Sequence, residues 1–507
     1  MLEGLLVEKG ARVRFEPHTP PEPSLDGRVD LRDQLTFTID PETAKDFDDA
    51  IAVRPEGDGL RAWVHIADVS YFVPAGSPLD RGAAARALST YVPGLVAPML
   101  PHELADELCS LRPHQDRLCV TVEVPFHGPE LTQGEPVFYR SVIRSHERFT
   151  YGGVEQILAG RESTDPELAE ALANAERLAR FLRERRFARG ALRVQSLELA
   201  FEFDGNGGVA EARREGEPHA HMLVEELMIL ANEAVAELLS ARKRPGLYRV
   251  HEPPEPQSVE LLLSRLAELD VPTPPAPEAE TMTPREAARV AATASELVAE
   301  YTQRAQRGEE AFRTLVLRSL KQARYDPRNL GHSGLASRAY GHFTSPIRRY
   351  PDLVVHRALL DELGVGETEV AGDLGELAER CSVREREAAE IEYLADELCL
   401  AWLLETRLFE LGWEHTFAGE IVSVIPGGLF ARFGEVFEGF VPARRLTDDY
   451  YELDELATAL VGRRRGRRFR LGDPIDVQVA DIRRSEGKVE LSVAGAGNRN
   501  RGKAGRR

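Results

Sequence analysis

Four aspartates crowd into ten positions near the start of this 507-residue chain: Asp40, Asp46, Asp48 and Asp49. They stand between two apolar runs, at 37–39 and 50–53, that predict buried strands. Carboxylates this close repel one another unless a cation lies among them. Hard oxygen ligands favour Mg²⁺ or Mn²⁺ over Zn²⁺, and two such ions can hold a phosphodiester and activate water. The stretch therefore predicts a metal-dependent hydrolase.

The same stretch has two other interpretations. A run of aspartates is commonly a solvated turn, and this stretch alone does not decide between a turn and a metal site. A calcium loop of the EF-hand type is excluded, because it needs Gly at its sixth position and Glu at its twelfth. Counted from Asp40, those positions hold Lys45 and Ile51. Counted from Asp46, they hold Ile51 and Gly57.

A second run, at 340–357, concentrates arginines, histidines and hydroxyl groups. It predicts a helix start, with Pro346 in the first turn and Ser345 or Thr344 as the cap. Guanidinium groups such as that of Arg348 can hold a phosphate bidentately and offset the charge that develops in phosphoryl transfer. A surface salt-bridge network is the alternative use of these arginines. Together with the aspartates, the run indicates metal-assisted phosphodiester hydrolysis.

The composition is that of a soluble globular protein, with 42% hydrophobic and 29% charged residues. The length allows two or three domains. No apolar run is long enough to span a bilayer, and the N-terminus is too short and acidic for a signal peptide. Four cysteines lack close metal or redox spacing and are expected to be reduced core thiols: Cys109, Cys119, Cys381 and Cys399. These features predict a cytoplasmic protein without a membrane partner.

The net charge of −20 argues at first against a nucleic-acid partner, because phosphate contacts come from Lys and Arg. The charge is unevenly distributed, however. Residues 461–507 contain 14 Lys and Arg against 5 Asp and Glu. An acidic body with a basic end is compatible with RNA if the active site guides the strand locally.

Periodicity and capping signals predict the elements that must position these residues. Strands are predicted at 35–39, 50–53 and 60–66, a hairpin from 197, and helices from Pro166, over 220–239, from Pro284 and over 377–411. The proline-rich segment 91–101 predicts a loop, in which Tyr91 is either a packing anchor or a stacking surface. From Trp413 onward, five short strands with glycines and exposed aromatic residues predict an OB-fold barrel.

The sequence closely resembles the ribonuclease II / ribonuclease R family of exoribonucleases from about residue 30 to residue 495. The runs that carry the resemblance stand in the family's order: 37–49, 65–73, 98–101, 108–113, 248–252, 317–323 and 342–357. The resemblance implies an α+β protein, in which an RNB catalytic domain (a mixed β-sheet or barrel with surrounding helices) precedes a C-terminal all-β OB-fold of the ribosomal-protein-S-one type.

The resemblance also implies a division of the chain and an activity. We expect an irregular lead-in at 1–30, the RNB catalytic domain at 31–411, the RNA-binding OB-fold at 412–495 and a basic disordered tail at 496–507. Family members hydrolyse single-stranded RNA processively from the 3′ end with Mg²⁺, Mn²⁺ being a second option, and release nucleoside 5′-monophosphates. We therefore expect single-stranded RNA as the partner and a monomeric enzyme.

Site residues are carried over by motif. Asp40, Asp46, Asp48 and Asp49 would be the metal-site carboxylates, with Asp48 the most critical for the chemistry. The substrate contacts would come from five further residues: Arg348 on the scissile phosphate, Tyr91 and Phe201 clamping the 3′-terminal base, and Tyr151 and Glu226 on the ribose side. A contact to the 2′-hydroxyl would distinguish RNA from DNA.

One departure from the family is that two cold-shock-type OB domains usually precede the catalytic domain, whereas residues 1–30 are too few for one. The shorter channel is expected either to admit structured RNA more readily or to bind the strand weakly. Two alternative functions remain open. One is a non-catalytic RNA-binding regulatory protein on the same scaffold, which the presence of all four aspartates and Arg348 disfavours. The other is a nuclease that acts on single-stranded DNA.

Overall fold

The computed structural model describes residues 1–11, 14–193, 197–205, 207–216, 219–366, 372–446 and 449–495. The predicted disordered tail at 496–507 lies outside the described residues, as does Asn206 in the turn of the predicted hairpin. Among the described residues, no helix is long and apolar enough to cross a membrane. All four cysteines are buried and unpaired, as predicted.

The helices are α1 (Leu2–Glu8), α2 (Val69–Phe72), α3 (Pro78–Arg86), α4 (Tyr151–Leu158), α5 (Pro166–Ala188), α6 (His219–Ala241), α7 (Pro256–Glu268), α8 (Pro284–Ala305), α9 (Glu309–Ser319), α10 (Tyr350–Glu362) and α11 (Leu374–Leu411). A single wide helical turn spans Glu103–Leu108, and tighter turns span Ser333–Leu335, Ala443–Arg445 and Arg484–Glu486.

The strands of the first 411 residues are β1 (Val29–Leu31), β2 (Phe37–Asp40), β3 (Asp49–Glu56), β4 (Gly59–Ala67), β5 (Thr90–Val92), β6 (Leu95–Ala97), β7 (Asp116–His127), β8 (Thr132–Gln133), β9 (Val137–Arg144), β10 (Glu147–Thr150), β11 (Leu197–Phe203), β12 (Val209–Gly216), β13 (Tyr248–Val250) and β14 (Arg324–Asp326). Beyond them lie β15 (Thr416–Ile425), β16 (Gly428–Phe433), β17 (Phe437–Pro442), β18 (Tyr451–Leu453), β19 (Ala459–Gly462), β20 (Arg468–Arg470), β21 (Pro474–Arg483) and β22 (Lys488–Val493).

The largest sheet has the order β1-β9-β7-β4-β3-β2-β10, with β8 added to β7. Successive side chains on a strand point to opposite faces, and both faces of this sheet are covered. The core on one face joins the sheet to α5 and α6: Phe37, Val64, Leu172 and Leu223. The core on the other face joins the sheet to α10 and α11: Ala50, Ala67, Leu353 and Cys381. Burial on both faces explains the unbroken apolar run at 50–53.

The capping signals of two long helices lie where the sequence predicted them. The Asp165 carboxylate accepts the N–H of Glu167 at the start of α5. Thr283 and Glu286 form a reciprocal capping box at the start of α8. Helix α11 begins at Leu374, three residues earlier than predicted, because Asp373 caps it by accepting the N–H of Gly375.

The C-terminal strands close into a barrel with the order β15-β16-β17-β22-β21, which confirms the predicted OB-fold. The barrel is not a separately packed domain. Its interior belongs to one apolar core with helices of the preceding part of the chain: Val298 of α8, Phe312 of α9, Leu404 of α11, and Phe433 and Val477 of the barrel. The barrel and the body are therefore packed as one unit.

Three local predictions need correction. The predicted irregular lead-in contains helix α1, whose two buried leucines, Leu5 and Leu6, are too short a pattern to reveal a period. The helix after the second motif begins at Tyr350 rather than near Pro346, because Pro351 takes the first turn and the Asp352 carboxylate accepts the N–H of Ser345. The predicted loop from residue 91 begins as a small hairpin of β5 and β6.

Candidate active site

The four aspartates lie at the junction of two strands of the large sheet. Asp40 is the last residue of β2 and Asp49 the first of β3, while Asp46 and Asp48 lie in the connection between them. Asp40 and Asp48 are 9% and 3% exposed, whereas Asp46 and Asp49 are half-buried. The antiparallel pairing of β2 with β3 brings the ends of the connection together. The crowding of carboxylates is thus imposed by the backbone.

The connection is anchored by Ser110 and Leu111, which belong to the run at 108–113. The Ser110 hydroxyl accepts the N–H of Phe47 at 3.0 Å and donates to the carbonyl of Lys45 at 2.7 Å. The carbonyl of Phe47 also accepts the N–H of Leu111 at 2.9 Å. On the far side, the Arg148 guanidinium donates to the carbonyl of Pro41 at 2.6 Å. These bonds fix the backbone that presents the aspartates.

The arginine run meets the aspartates directly. The N–H of Ile347 donates to Oδ1 of Asp48 at 2.8 Å, and Nε of Arg348 lies 3.5 Å from Oδ2 of Asp48. The Arg348 side chain is 44% exposed, and its Nη2 donates to the Ser345 hydroxyl at 3.2 Å. One carboxylate is therefore held by the arginine run, while the guanidinium stays accessible from the surface.

Tyr91 approaches the same carboxylates from a third segment. Its hydroxyl donates to Oδ2 of Asp46 at 2.9 Å, and its residue is 37% exposed. Burial, together with the charge of Asp46, raises the pKa of Tyr91 well above its ordinary value, so that the hydroxyl keeps its proton and donates. The N–H of Ser89 donates to the carbonyl of Arg348 at 2.9 Å. The backbone before Tyr91 and the backbone of the arginine run are thus joined.

Three of the clustered carboxylates have raised pKa values. Burial raises the pKa of Asp40 to about 6, with a further contribution from the charge of Asp46. Burial and then the charge of Asp40 raise the pKa of Asp49 to about 7. Burial also raises the pKa of Asp48 well above its ordinary value, although the Arg348 guanidinium offsets part of this effect. A bound cation would relieve this crowding of negative charge.

The carboxylates fit a hard divalent cation. Oδ2 of Asp40 and Oδ2 of Asp48 are buried without a hydrogen-bond partner, which is costly unless another group satisfies them. Among the residues that the structure describes, no group of three or more His, Cys, Asp or Glu side chains is arranged to hold a metal ion by itself. An incomplete protein set suits Mg²⁺, which usually keeps waters and binds substrate phosphates as its remaining ligands.

Of the two residues predicted to contact the ribose, Tyr151 lies beside the aspartate cluster. It follows Thr150, which is paired with Asp40 in the parallel strands β10 and β2, and its ring lies 5.5 Å from that of His221. Glu226 lies on α6 and is 2% exposed. Its carboxylate accepts a hydrogen bond from Nε of Arg186 at 3.1 Å. A buried ion pair with Arg186 therefore occupies the Glu226 carboxylate, and its ribose contact stays a prediction.

Phe201 lies on β11, partly buried against the core shared with the barrel. Two residues further on, past an irregularity in the pairing of β11 with β12 between Glu202 and Phe203, Phe203 is 38% exposed. A Cβ placed on Gly94, in the turn of the Tyr91 hairpin, would lie 3.3 Å from the Phe203 ring. Phe203 is thus the ring that lies against this hairpin, and the clamp assigned to Phe201 stays a prediction.

Sequence reasoning missed four contacts of the site. They are made by Glu392, Ser110, the N–H of Ile347 and Phe203. Glu392 of α11 accepts the N–H of Tyr91 at 2.8 Å. Nothing local marks it, since it is one of many glutamates on a long helix. The available signal for Phe203 was its spacing of two residues from Phe201 on the same strand.

Two family models match the chain. One, the RNB domain, covers residues 28–364, and the other, the S1 RNA binding domain, covers residues 413–494. Ribonuclease R of Escherichia coli is 38% identical over 492 residues, which are 93% of this chain. The chain spans 58% of the length of that relative.

Solved structures of other proteins also resemble this chain. Mycoplasma genitalium RNase R in complex with ribose methylated single-stranded RNA matches with a TM-score of 0.87 at 27% identity, covering 97% of this chain and 77% of that one. Yeast Ssd1, a pseudonuclease, matches at 19% identity with a TM-score of 0.69, over 90% of this chain and 57% of that one. The latter likeness concerns the fold alone. The RNB model covers well over half of the residues, and the chain belongs to the RNB family.

Proposed function

We propose that this chain is an exoribonuclease that hydrolyses single-stranded RNA processively from 3′ to 5′ and releases nucleoside 5′-monophosphates with Mg²⁺. The observation that carries the proposal is the junction of Asp48 with the arginine run and, beside it, of Asp46 with Tyr91. Acidic, cationic and aromatic groups then meet at one accessible place. This is the set needed to hold a metal, a phosphate and a terminal base.

The chain's own residues would divide the work as follows. The exposed guanidinium of Arg348 holds the scissile phosphate and offsets charge that develops on its oxygens. The Tyr91 ring stacks on the 3′-terminal base, an interaction that tolerates any sequence. Asp40, Asp46, Asp48 and Asp49 supply the metal-site oxygens, and the bound Mg²⁺ would activate water and stabilise the transition state. Tyr151, Glu226 and Phe201 are proposed for the nucleotide's ribose and base.

The proposal extends to the organisation of the protein. Residues 31–411 would form the catalytic domain, and residues 412–495 an OB-fold that binds the RNA strand. We propose a monomer that works in the cytoplasm, because unpaired buried thiols suit a reducing compartment. Support comes from the RNA named with the Mycoplasma genitalium structure and from the ribonuclease R relatives.

A non-catalytic RNA-binding protein is the alternative, since the fold also occurs in a pseudonuclease. One assay separates the possibilities: 5′-end-labelled RNA and DNA oligonucleotides incubated with Mg²⁺ or with EDTA, and the products sized on a gel. The proposal predicts a shortening RNA ladder that requires Mg²⁺. Degradation of DNA at the same rate would favour a nuclease without sugar selection, and binding without cleavage would favour the pseudonuclease.

A further inference from the structure

The N-terminal helix α1 packs against the hairpin that carries Tyr91. Leu5 and Leu6 of α1 are 8% and 1% exposed and share an apolar cluster with Val92 and Ala97 of the hairpin. The same cluster includes three residues of α11: Ile391, Ala395 and Leu398. The hairpin is therefore covered by α1 and α11 together.

The register of the hairpin separates its two faces. Thr90 is paired with Ala97, and Tyr91 with Val96. Because neighbouring side chains on a strand point to opposite faces, the Tyr91 ring lies on the face opposite to Val92. Val92 is 5% exposed against 37% for Tyr91, which agrees with this assignment. Helix α1 supports the hairpin from behind, and Tyr91 projects from the front toward Asp46.

The hairpin needs such support. Each strand has three residues, and an isolated two-stranded hairpin is marginally stable even when longer. Two further interactions hold it: Glu392 accepts the N–H of Tyr91 at 2.8 Å, and Phe203 lies against Gly94. The burial of Val92 and Ala97 against α1 and α11 is its apolar anchor.

Helix α1 depends in turn on its packing. It has seven residues, too few for a stable helix in isolation. A cavity of about 570 Å³ lies beside its end, lined among others by Lys9 and Gly10, and by Arg86 of α3. The buried pair Leu5 and Leu6 is thus the main attachment, and the order of the helix and of the hairpin must be coupled.

We propose that α1 is a positioning element of the active site: its docking through Leu5 and Leu6 holds the hairpin where Tyr91 reaches Asp46. The helix lies outside the part of the chain that matches the RNB domain, residues 28–364. The catalytic consequence rests on the proposed function, since it assumes that Tyr91 contacts the substrate. The structural coupling between α1 and the hairpin does not rest on the proposed function.

The coupling is tested in the full chain by replacing both buried leucines, Leu5→Ala with Leu6→Ala. The matched control is Val7→Ala, on the same helix but 58% exposed. Hydrogen exchange followed by mass spectrometry reports on residues 90–97. We expect faster exchange there in the double variant, with the control like wild type and the melting temperature nearly unchanged. Unchanged protection at 90–97 would overturn the proposal.

Activity then separates positioning from general damage. For a short oligonucleotide, we expect the double variant to raise KM about ten-fold, as for partial loss of one base stack, with kcat changed less than about two-fold. In a Tyr91→Ala background, the same leucine replacements should add nothing. A full additional loss in that background would show that they act by another route and would contradict the proposal.

The two proposals can fail separately. A wild-type protein that hydrolyses no RNA would refute the proposed function, while the exchange experiment would still decide whether α1 holds the hairpin. An active wild type whose leucine variants keep both normal exchange and a normal KM would refute only the positioning role of α1.

Discussion

At the scale of single residues, the carboxylate cluster holds unfavourable charge that a cation would neutralise. The unfavourable charge can be measured at Asp49, because burial and the charge of Asp40 raise the pKa of its carboxyl group to about 7. A raised carboxyl pKa contributes stability that is present below the unfolded value and lost as the pH rises through the folded value. The metal-free wild-type protein should therefore lose stability relative to the Asp49→Asn variant between about pH 4 and pH 8.

This prediction is checked by thermal unfolding of wild type and Asp49→Asn in EDTA. The two melting temperatures should be similar near pH 4.5, and the variant's should be the higher one at pH 8. Added Mg²⁺ should stabilise wild type more than the variant, because only wild type keeps all four carboxylates that are proposed to hold the metal. A pH-independent difference would mean that Asp49 is not protonated more readily in the folded state.

Tyr91 carries a second prediction at this scale. If its ring stacks on the terminal base, its loss matters most when few nucleotides remain bound. Tyr91→Ala should still degrade long RNA but leave a longer final oligonucleotide than wild type. Tyr91→Phe is the control, since it keeps the ring and loses only the hydrogen bond to Asp46. Equal product lengths for wild type and Tyr91→Ala, read on a sequencing gel, would count against the stack.

At the scale of elements, a buried ion pair ties the first strand to the sheet. The Arg28 guanidinium, before β1, donates to Oδ2 of Asp68 at 2.7 Å, and Arg140 of β9 lies 3.0 Å from the same oxygen. The side chains of Arg28 and Asp68 are 2% and 0% exposed. Although burial alone would raise it, Arg140 and Arg28 lower the pKa of Asp68. The charges are therefore present together in the folded protein.

Removal of one charge should be costly here. Asp68→Asn is expected to lower the free energy of unfolding by roughly 3–5 kcal/mol, because it leaves buried guanidinium charge uncompensated. The control is Asp116→Asn, which also loses two arginine partners, Arg32 and Arg144, but at a position about one-third exposed. Its expected loss is below about 1 kcal/mol, as for surface ion pairs. Urea denaturation measures both, and equal losses would refute the distinction.

The elements also show what could be predicted from the sequence. Helix starts at Pro166 and Pro284 were predicted correctly, because capping is a local signal. The start of α10 was predicted too early, since it depends on a hydrogen bond from Ser345 to the Asp352 carboxylate. The two halves of the site were predicted separately. Their junction, between Asp48 and Ile347, spans 299 residues and has no local signature.

At the scale of the whole molecule, positive charge is concentrated at the C-terminal end, where residues 461–507 contain 14 Lys and Arg against 5 Asp and Glu. The barrel shares a core with α8, α9 and α11, so its deletion would expose apolar surface as well as remove charge. Charge is better removed alone. Arg464, Arg465 and Arg467 are exposed on the connection between β19 and β20, and no ion pair of their side chains occurs within the described part of the chain.

Replacing these three arginines by Gln should weaken RNA binding and make its salt dependence shallower. For a single strand, removing one phosphate interaction lowers the slope of log affinity against log salt by about 0.7, so the change is roughly 2 if all three arginines bind. The control replaces three exposed arginines of α8: Arg285, Arg289 and Arg304. Filter binding at several salt concentrations measures the slopes. An equal change in the control would mean that net charge alone is responsible.

The proposed chemistry depends above all on Asp48, which the arginine run holds in place. The most direct test is a comparison of wild type with Asp48→Asn on 5′-end-labelled single-stranded RNA in Mg²⁺, with cleavage and binding measured on the same preparations. We predict that the variant binds RNA nearly as well as wild type but cleaves it at least about a hundred-fold more slowly, because binding rests on contacts along the strand and catalysis on the metal site. Near-normal cleavage by Asp48→Asn would contradict the metal-site assignment.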